Sequence, residues 1–228
     1  MVTEDPKITR RRFLKAFGLG LAGLSTTGFL TYLFGSSRAL DILNTATPSS
    51  SPAFQPFTKF RINSVEETPH VDLNQYRLIV DGLVKQPVKW SFSELKQSLT
   101  EVEQISDFHC VEGWGVKNVR WTGIKMKELL ETVKPKPTAT HLTFYSLGGV
   151  YTESLSLDEA AEDETLLAYG LYGKPLPRQQ GFPLRVIIPR MYGYKGAKWL
   201  HRIEFTDHQH LGYWEQYGYN VDGVTPPR

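Results

Sequence analysis

The chain has 228 residues, 40% hydrophobic and 22% charged, with a formal net charge of +2; past a leading segment, that length suits one domain with a single sizeable core. No lysine- and arginine-rich stretch occurs outside the N-terminus, so the charge pattern gives no footprint for nucleic acid. A single cysteine, Cys110, excludes an internal disulfide, a c-type haem site, a cysteine-based zinc cluster and an iron–sulfur cluster held by this chain alone.

Residues 9–15 read Thr-Arg-Arg-Arg-Phe-Leu-Lys and are followed by an uncharged stretch from Ala16 to Phe34. Arg10 and Arg11, with Phe13 and Leu14 behind them, resemble a twin-arginine export signal. The plainer alternative is an uncleaved membrane anchor with basic residues at its cytoplasmic end. Residues 1–39 are expected to be that signal or anchor, residues 40–58 a linker containing Thr, Ser and Pro, and residues 59–228 the folded domain, on the far side of the membrane. The twin-arginine route carries folded proteins, and so raises the expectation of a redox cofactor inserted before export.

In chain order, Tyr76–Leu83 alternates Tyr76, Leu78 and Val80 on one face and reads as a half-buried strand. Ser91 and Glu94 form a capping box that opens a helix running to Leu99. Asp107–Val111 is an extended segment carrying Cys110. Lys125–Val133 reads as a helix with Leu129, Leu130 and Val133 inward, stopped by Pro135 and Pro137. His141–Ser146 is a strand, Ser156 and Glu159 cap a second, acidic helix, and Leu184–Pro189 and Leu200–Thr206 are further strands. Short strands with interspersed helices predict a mixed α+β fold containing a rolled or barrel-like sheet.

On a strand, His109 would point away from Cys110 while Glu112 shared its face. The residues by themselves leave three readings for Cys110, in the order buried structural thiol, metal ligand, nucleophile. Taken singly, Lys195 and Lys198 read as solvated charges and Arg185 as a strand-edge cation. His208 and His210 share a face if extended, but no third ligand for a zinc site accompanies them.

Longer segments change that order. Phe108-His-Cys-Val-Glu-Gly-Trp114, then Trp121-Thr-Gly123 and the Met126–Leu130 helix, resemble the metal-binding segment of the sulfite oxidase-like molybdopterin oxidoreductases. Tyr172-Gly-Lys-Pro-Leu-Pro177, Gln180-Gly-Phe-Pro-Leu-Arg185 and Tyr192-Gly-Tyr-Lys-Gly-Ala-Lys-Trp199 follow in that family's order and spacing, and the likeness runs from about Phe60 to the aromatic tail at Gly212. The resemblance implies a sulfite oxidase-type fold around a molybdenum–molybdopterin cofactor, with Cys110 as the protein ligand to the metal. It also implies that Arg185 and Lys198 hold the pterin and its phosphate, that Gly196 and Ala197 bring backbone N–H groups close, and that Ser146, Arg61 and Asn63 contact the cofactor. Gln180 stands where family branches carry histidine or asparagine, and is expected to keep the contact with a longer arm.

Within that family, members oxidise sulfite or reduce S-oxides and N-oxides. Sulfite oxidases gather arginines by the metal for a dianion, whereas Cys110 is followed by Val111, Glu112, Gly113 and Trp114. At about 5 Å a like charge costs on the order of 1 kcal/mol even when well screened, so Glu112 disfavours an anion and Trp114 suits a neutral, partly apolar substrate. The resemblance is nearest to the exported methionine sulfoxide reductase branch. It implies reduction of small-molecule or protein-bound oxides by a monomer, with Glu112 relaying protons and electrons arriving from a membrane haem or quinol-linked subunit. The alternatives are a sulfite oxidase or dehydrogenase, and a membrane-anchored binding domain of the same fold without cofactor.

Overall fold

We describe the protein from a computed structural model over residues 60–226. The leading signal or anchor and its linker, expected over residues 1–58, lie outside the described residues. Among the described residues, no helix is long and apolar enough to cross a membrane.

The strands are β1 Arg77–Gly82, β2 Val88–Ser91, β3 Glu101–His109, β4 Gly115–Lys125, β5 His141–Ser146, β6 Thr152–Ser156, β7 Leu166–Leu171, β8 Lys174–Pro175, β9 Arg185–Ile187 and β10 Leu200–Thr206. Helices α1 Phe92–Ser98, α2 Met126–Val133 and α3 Leu157–Ala160 sit between them. One sheet has the order β2-β1-β10-β5-β6, mixed because β1 and β10 run parallel. The other has the order β3-β4-β7-β8, with β9 also pairing with β7. The mixed α+β class is as expected. The sheets stay open, however: among the described residues, the terminal strands of each sheet do not pair with one another, so no barrel closes.

Local chemistry sets most boundaries. Both capping boxes form: the Ser91 and Ser156 hydroxyls accept from the backbone N–H groups of Glu94 and Glu159, and the two glutamates reach back to their N-caps. Strands β5 and β10 have the expected limits. Helix α2 buries Leu129, Leu130 and Val133 and ends on Lys134 in the left-handed region, before Pro135 intervenes.

Strand β7 was not expected, and its burial explains why. Its six residues are all buried. Leu167 and Tyr169 enter the main core with Leu78, Val80 and Ile203, while Leu166, Ala168 and Leu171 enter a second cluster with Trp114, Trp121 and Ile187. A strand with two dry faces shows no alternation. Cys110 packs against the second cluster.

Strands β4 and β7 approach closely at one point. A Cβ on Gly123 would lie 2.3 Å from the Leu167 carbonyl oxygen, beside the register shift between Thr122 and Gly123. Gly123→Ala should therefore cost about 2–3 kcal/mol, read as a lower urea midpoint with an unchanged slope.

Candidate functional site

Between the second cluster and the C-terminal tail lies a cavity of about 140 Å³. One side is the irregular segment Phe60–Glu66; others come from the end of β3, from β9, from the loop after it and from the tail.

Strand β3 ends at His109, one residue before the cysteine. The Cys110 N–H donates to the Trp114 carbonyl at 2.8 Å, and its own carbonyl accepts from Gly113 N–H at 3.1 Å. Gly113, at φ 84°, permits that turn. Phe108 and Cys110 consequently line the cavity, whereas buried His109 does not. The turn also corrects the expected placement of Glu112, which does not share a strand face with Cys110. Instead the Asn63 side chain, and then Trp114 Nε1, which donates to it at 3.0 Å, hold its carboxylate below the usual range. Burial pushes the Cys110 thiol up. The backbone N–H of Glu112 opposes that shift, the Glu112 charge adds to it, and Arg61 and the Val111 N–H pull it down.

The cations lie on the β9 side. Arg185 is 3% exposed. Its Nη1 donates to the backbone oxygen and Oε1 of Gln180, at 3.0 and 3.1 Å, but its buried Nε has no partner. The guanidinium lies 5.5 Å from the Phe108 ring centroid and 5.6 Å from that of Trp121. Burial pushes Arg185 down to about 10. Lys198 Nζ donates to the carbonyls of Asn63 and Gln179, at 2.8 and 3.3 Å. Burial, and then the nearby Arg185 charge, push it down to about 8. Both cations spring from beside Gly181, where an added Cβ would meet the Arg185 and Lys198 Cβ atoms at 3.0 and 3.3 Å. A Cβ on Gly196 would fall 2.5 Å from the Val186 carbonyl oxygen, so only glycine lets that loop lie against β9.

Eight residues expected at the site line one cavity: Arg61, Asn63, Cys110, Glu112, Gln180, Arg185, Gly196 and Lys198. Ala197 and Ser146 do not. Ala197 is buried and bonds β9 through its carbonyl, and Ser146, at the end of β5, keeps a buried hydroxyl without a partner. Lys195 is a correction of another kind. Read singly as a solvated charge, it is 1% exposed and bound to Glu153 and Glu215. The cavity walls Tyr151, Tyr194, Trp214 and Tyr219 carried no local sequence signal beyond the aromatic richness of the tail.

This donor set fits a metal that arrives with its own ligands. Among the described residues, no group of three or more His, Cys, Asp or Glu side chains could hold an ion; His208 pairs with Asp207 and His210 with Thr152. A single thiol lines a cavity that is also lined by a buried guanidinium, a second cation and close backbone, which suits a large anionic cofactor.

Residues 65–214 match the oxidoreductase molybdopterin binding domain family. The chain is 34% identical over 191 residues to the uncharacterized oxidoreductase YuiH of Bacillus subtilis, covering 83% of this chain and 93% of that one. It is 31% identical over 257 residues to the protein-methionine-sulfoxide reductase catalytic subunit MsrP of Ralstonia nicotianae, covering 96% and 77%. Among solved structures it resembles the sulfane dehydrogenase SoxCD of Paracoccus pantotrophus, with TM-score 0.57 and 20% identity over 62% of this chain and 41% of that one. The chain thus belongs to the sulfite oxidase-like molybdopterin-binding oxidoreductases; it is an enzyme, and its cofactor is molybdenum–molybdopterin.

Lys198 offers a test that separates binding from folding. Lys198→Met should lower retained molybdenum at least about tenfold, measured by metal analysis of protein with unchanged circular dichroism. In cofactor-free protein the folded-state value of Lys198 lies below its unfolded one, so its charge burdens the fold up to about pH 8. As pH rises beyond that, the unfolded chain binds the extra proton and the burden lifts. Denaturation of wild type against Lys198→Met should therefore shift in favour of wild type above about pH 8.

Proposed function

We propose that this enzyme reduces S-oxides, methionine sulfoxide or close analogues, outside the cytoplasm, after export by the twin-arginine route, using electrons from a membrane haem or quinol-linked partner. The observation that carries the substrate reading is the ionised Glu112 carboxylate, fixed by Asn63 and Trp114 within two residues of Cys110. Arg61 and Glu112 act on the thiol in opposite senses, so their charges offset and give no welcome to a dianion. Aromatic walls from Trp114, Trp214 and Tyr219 suit the neutral, partly apolar body of a sulfoxide. The similarity to protein-methionine-sulfoxide reductase catalytic subunits, extending over 96% of this chain in one case, supports the same direction.

When bound, the cofactor supplies two-electron oxygen-atom transfer, which with two protons turns a sulfoxide into a sulfide and water. Cys110 is the protein ligand to the metal and would give up its proton on binding. Arg185 and Lys198 anchor the anionic end of the cofactor, with Gln180 orienting the guanidinium through two accepted bonds. Glu112 is held charged beside Asn63 and Trp114, which favours a role in fixing Trp114 through the bond it accepts over one in storing a proton. Trp114, so fixed, orients the substrate beside Cys110.

Loaded enzyme with a reduced viologen donor should turn over methionine sulfoxide; rapid sulfite oxidation without sulfoxide turnover would overturn the proposed direction. Cys110→Ala should lower turnover more than about 100-fold and change the electron paramagnetic resonance signal of the molybdenum. Matching signals would remove Cys110 as a ligand.

A further inference from the structure

Behind the aromatic walls of the cavity lies a group of charges that cofactor binding does not use. Lys195 Nζ meets Glu153 Oε1 at 2.7 Å and Glu215 Oε1 at 2.5 Å, with side-chain exposures of 1% for the lysine and 0% for each glutamate. The two carboxylates are not equivalent. Both oxygens of Glu215 accept from donors, Oε1 from Lys195 and Oε2 from the Gly212 N–H at 2.7 Å. Only one oxygen of Glu153 does so: Oε1 accepts from Lys195 and from the Ser154 N–H, while Oε2 is buried without a partner. A Cβ on Gly212 would sit 2.7 Å from that Oε2, so the tail backbone closes over it.

An ionised oxygen left dry and unpaired is costly, and a neutral hydroxyl in the same place costs much less. The bonding pattern thus distributes charge unevenly, with Glu215 anionic and Glu153 the member able to keep its proton. Burial acts the same way, pushing Glu153 up to about 8 against the pull of Lys195.

The three residues come from three segments of the cavity wall. Glu153 lies on β6, two residues past Tyr151; Lys195 follows Tyr194; Glu215 follows Trp214. Secondary contacts repeat the same tie: the Tyr151 hydroxyl donates to the Tyr194 carbonyl, Tyr194 donates to Asn220 O at 2.5 Å, and Tyr213 N–H donates to Thr152 O at 2.8 Å. Tyr194 and Tyr219 meet edge to face at 5.3 Å.

We propose that Lys195, bridging an anionic Glu215 and a protonated Glu153, is the positioning residue that holds the C-terminal aromatic segment in place as a wall of the substrate cavity. The joint itself stands on geometry alone; the wall's part in holding substrate rests on the sulfoxide reading above. Burying three ionisable groups adds little net stability over an apolar replacement. What the joint secures is placement, because one cation fixes two partners from distant parts of the chain.

The test uses the unequal bonding. Glutamine reproduces a protonated Glu153, with its carbonyl at Oε1 and its amide at the unpartnered position. At Glu215 it cannot accept at both oxygens, and its amide faces a donor. In the full-length loaded enzyme, Glu215→Gln should speed hydrogen exchange over residues 212–219 at least about tenfold while sheet amides stay unchanged, and Glu153→Gln should stay within about twofold of wild type. Equal effects, a larger effect for Glu153→Gln, or an unchanged tail in Glu215→Gln would overturn the joint. Should Glu215→Gln fail to fold, infrared spectroscopy decides: wild type at neutral pH should show a protonated-carboxyl C=O band that Glu153→Gln lacks, and its absence from wild type would overturn the assignment. For the wall, Glu215→Gln should raise KM for methionine sulfoxide about fivefold or more with kcat within twofold. A loosened tail with unchanged KM would overturn the wall's role. No sulfoxide turnover in wild type would count against the proposed substrate, leaving exchange and infrared to decide the joint.

Discussion

A guanidinium that is 3% exposed, with its Nε unanswered, is the condition around which the cavity is arranged. Arginine does not escape burial by losing its proton under ordinary conditions, so Arg185 must be satisfied by what surrounds it. The protein answers in part, through two acceptors on Gln180 and the faces of Phe108 and Trp121. Much of the local backbone serves that arrangement. Gly181 lets Lys198 arise next to Arg185, and Gly196 lets the loop lie against β9. Strand β9 is fixed in turn by pairing with β7, the strand buried on both faces.

The consequence is a cavity lined by groups that differ in kind. Near β9 there are two cations whose charge is disfavoured in the absence of a ligand, as the depressed values of Arg185 and Lys198 express. Near Cys110 there are aromatic rings and a carboxylate kept charged by Asn63 and Trp114. An anion entering this cavity is drawn to Arg185 and Lys198, whereas beside Cys110 the charges of Arg61 and Glu112 offset. The cofactor is large and anionic at its phosphate, and the substrate we propose is small and neutral, so the two cations suit the first and the aromatic walls the second.

The sequence revealed some of this and concealed the rest for physical reasons. Capping boxes at Ser91 and Ser156 were legible because their chemistry lies within four residues. Strands β5 and β10 were legible from their own short segments. Strand β7 was hidden by its two dry faces. Strand β4 was hidden because Lys117 and Asn118 interrupt its pattern, Asn118 with φ of 51° near a register shift. At the site, Glu112 was misplaced because a two-residue spacing was read as strand geometry where Gly113 makes a turn. Arg185 and Lys198 emerged from the family's spacing and not from any local feature. Lys195 could not emerge at all: its partners lie 42 residues upstream and 20 downstream, a separation that leaves no periodicity to detect.

Lys195 and Arg185 show what distinguishes a buried cation that binds from one that builds. They lie within one stretch of chain and both are almost wholly buried, so burial does not separate them. Bonding does. Lys195 has two glutamate side chains within 2.7 Å, both supplied by the protein, and an arriving anion would find it already occupied. Arg185 has a neutral amide and a carbonyl, two aromatic faces and one nitrogen with nothing to donate to. With no carboxylate to neutralise it, Arg185 keeps a net charge at the cavity wall that an anion can offset. The difference also explains their order along the wall. The satisfied cation can sit behind the aromatic surface, where it ties segments together out of reach of ligand. The cation without a carboxylate lines the cavity itself.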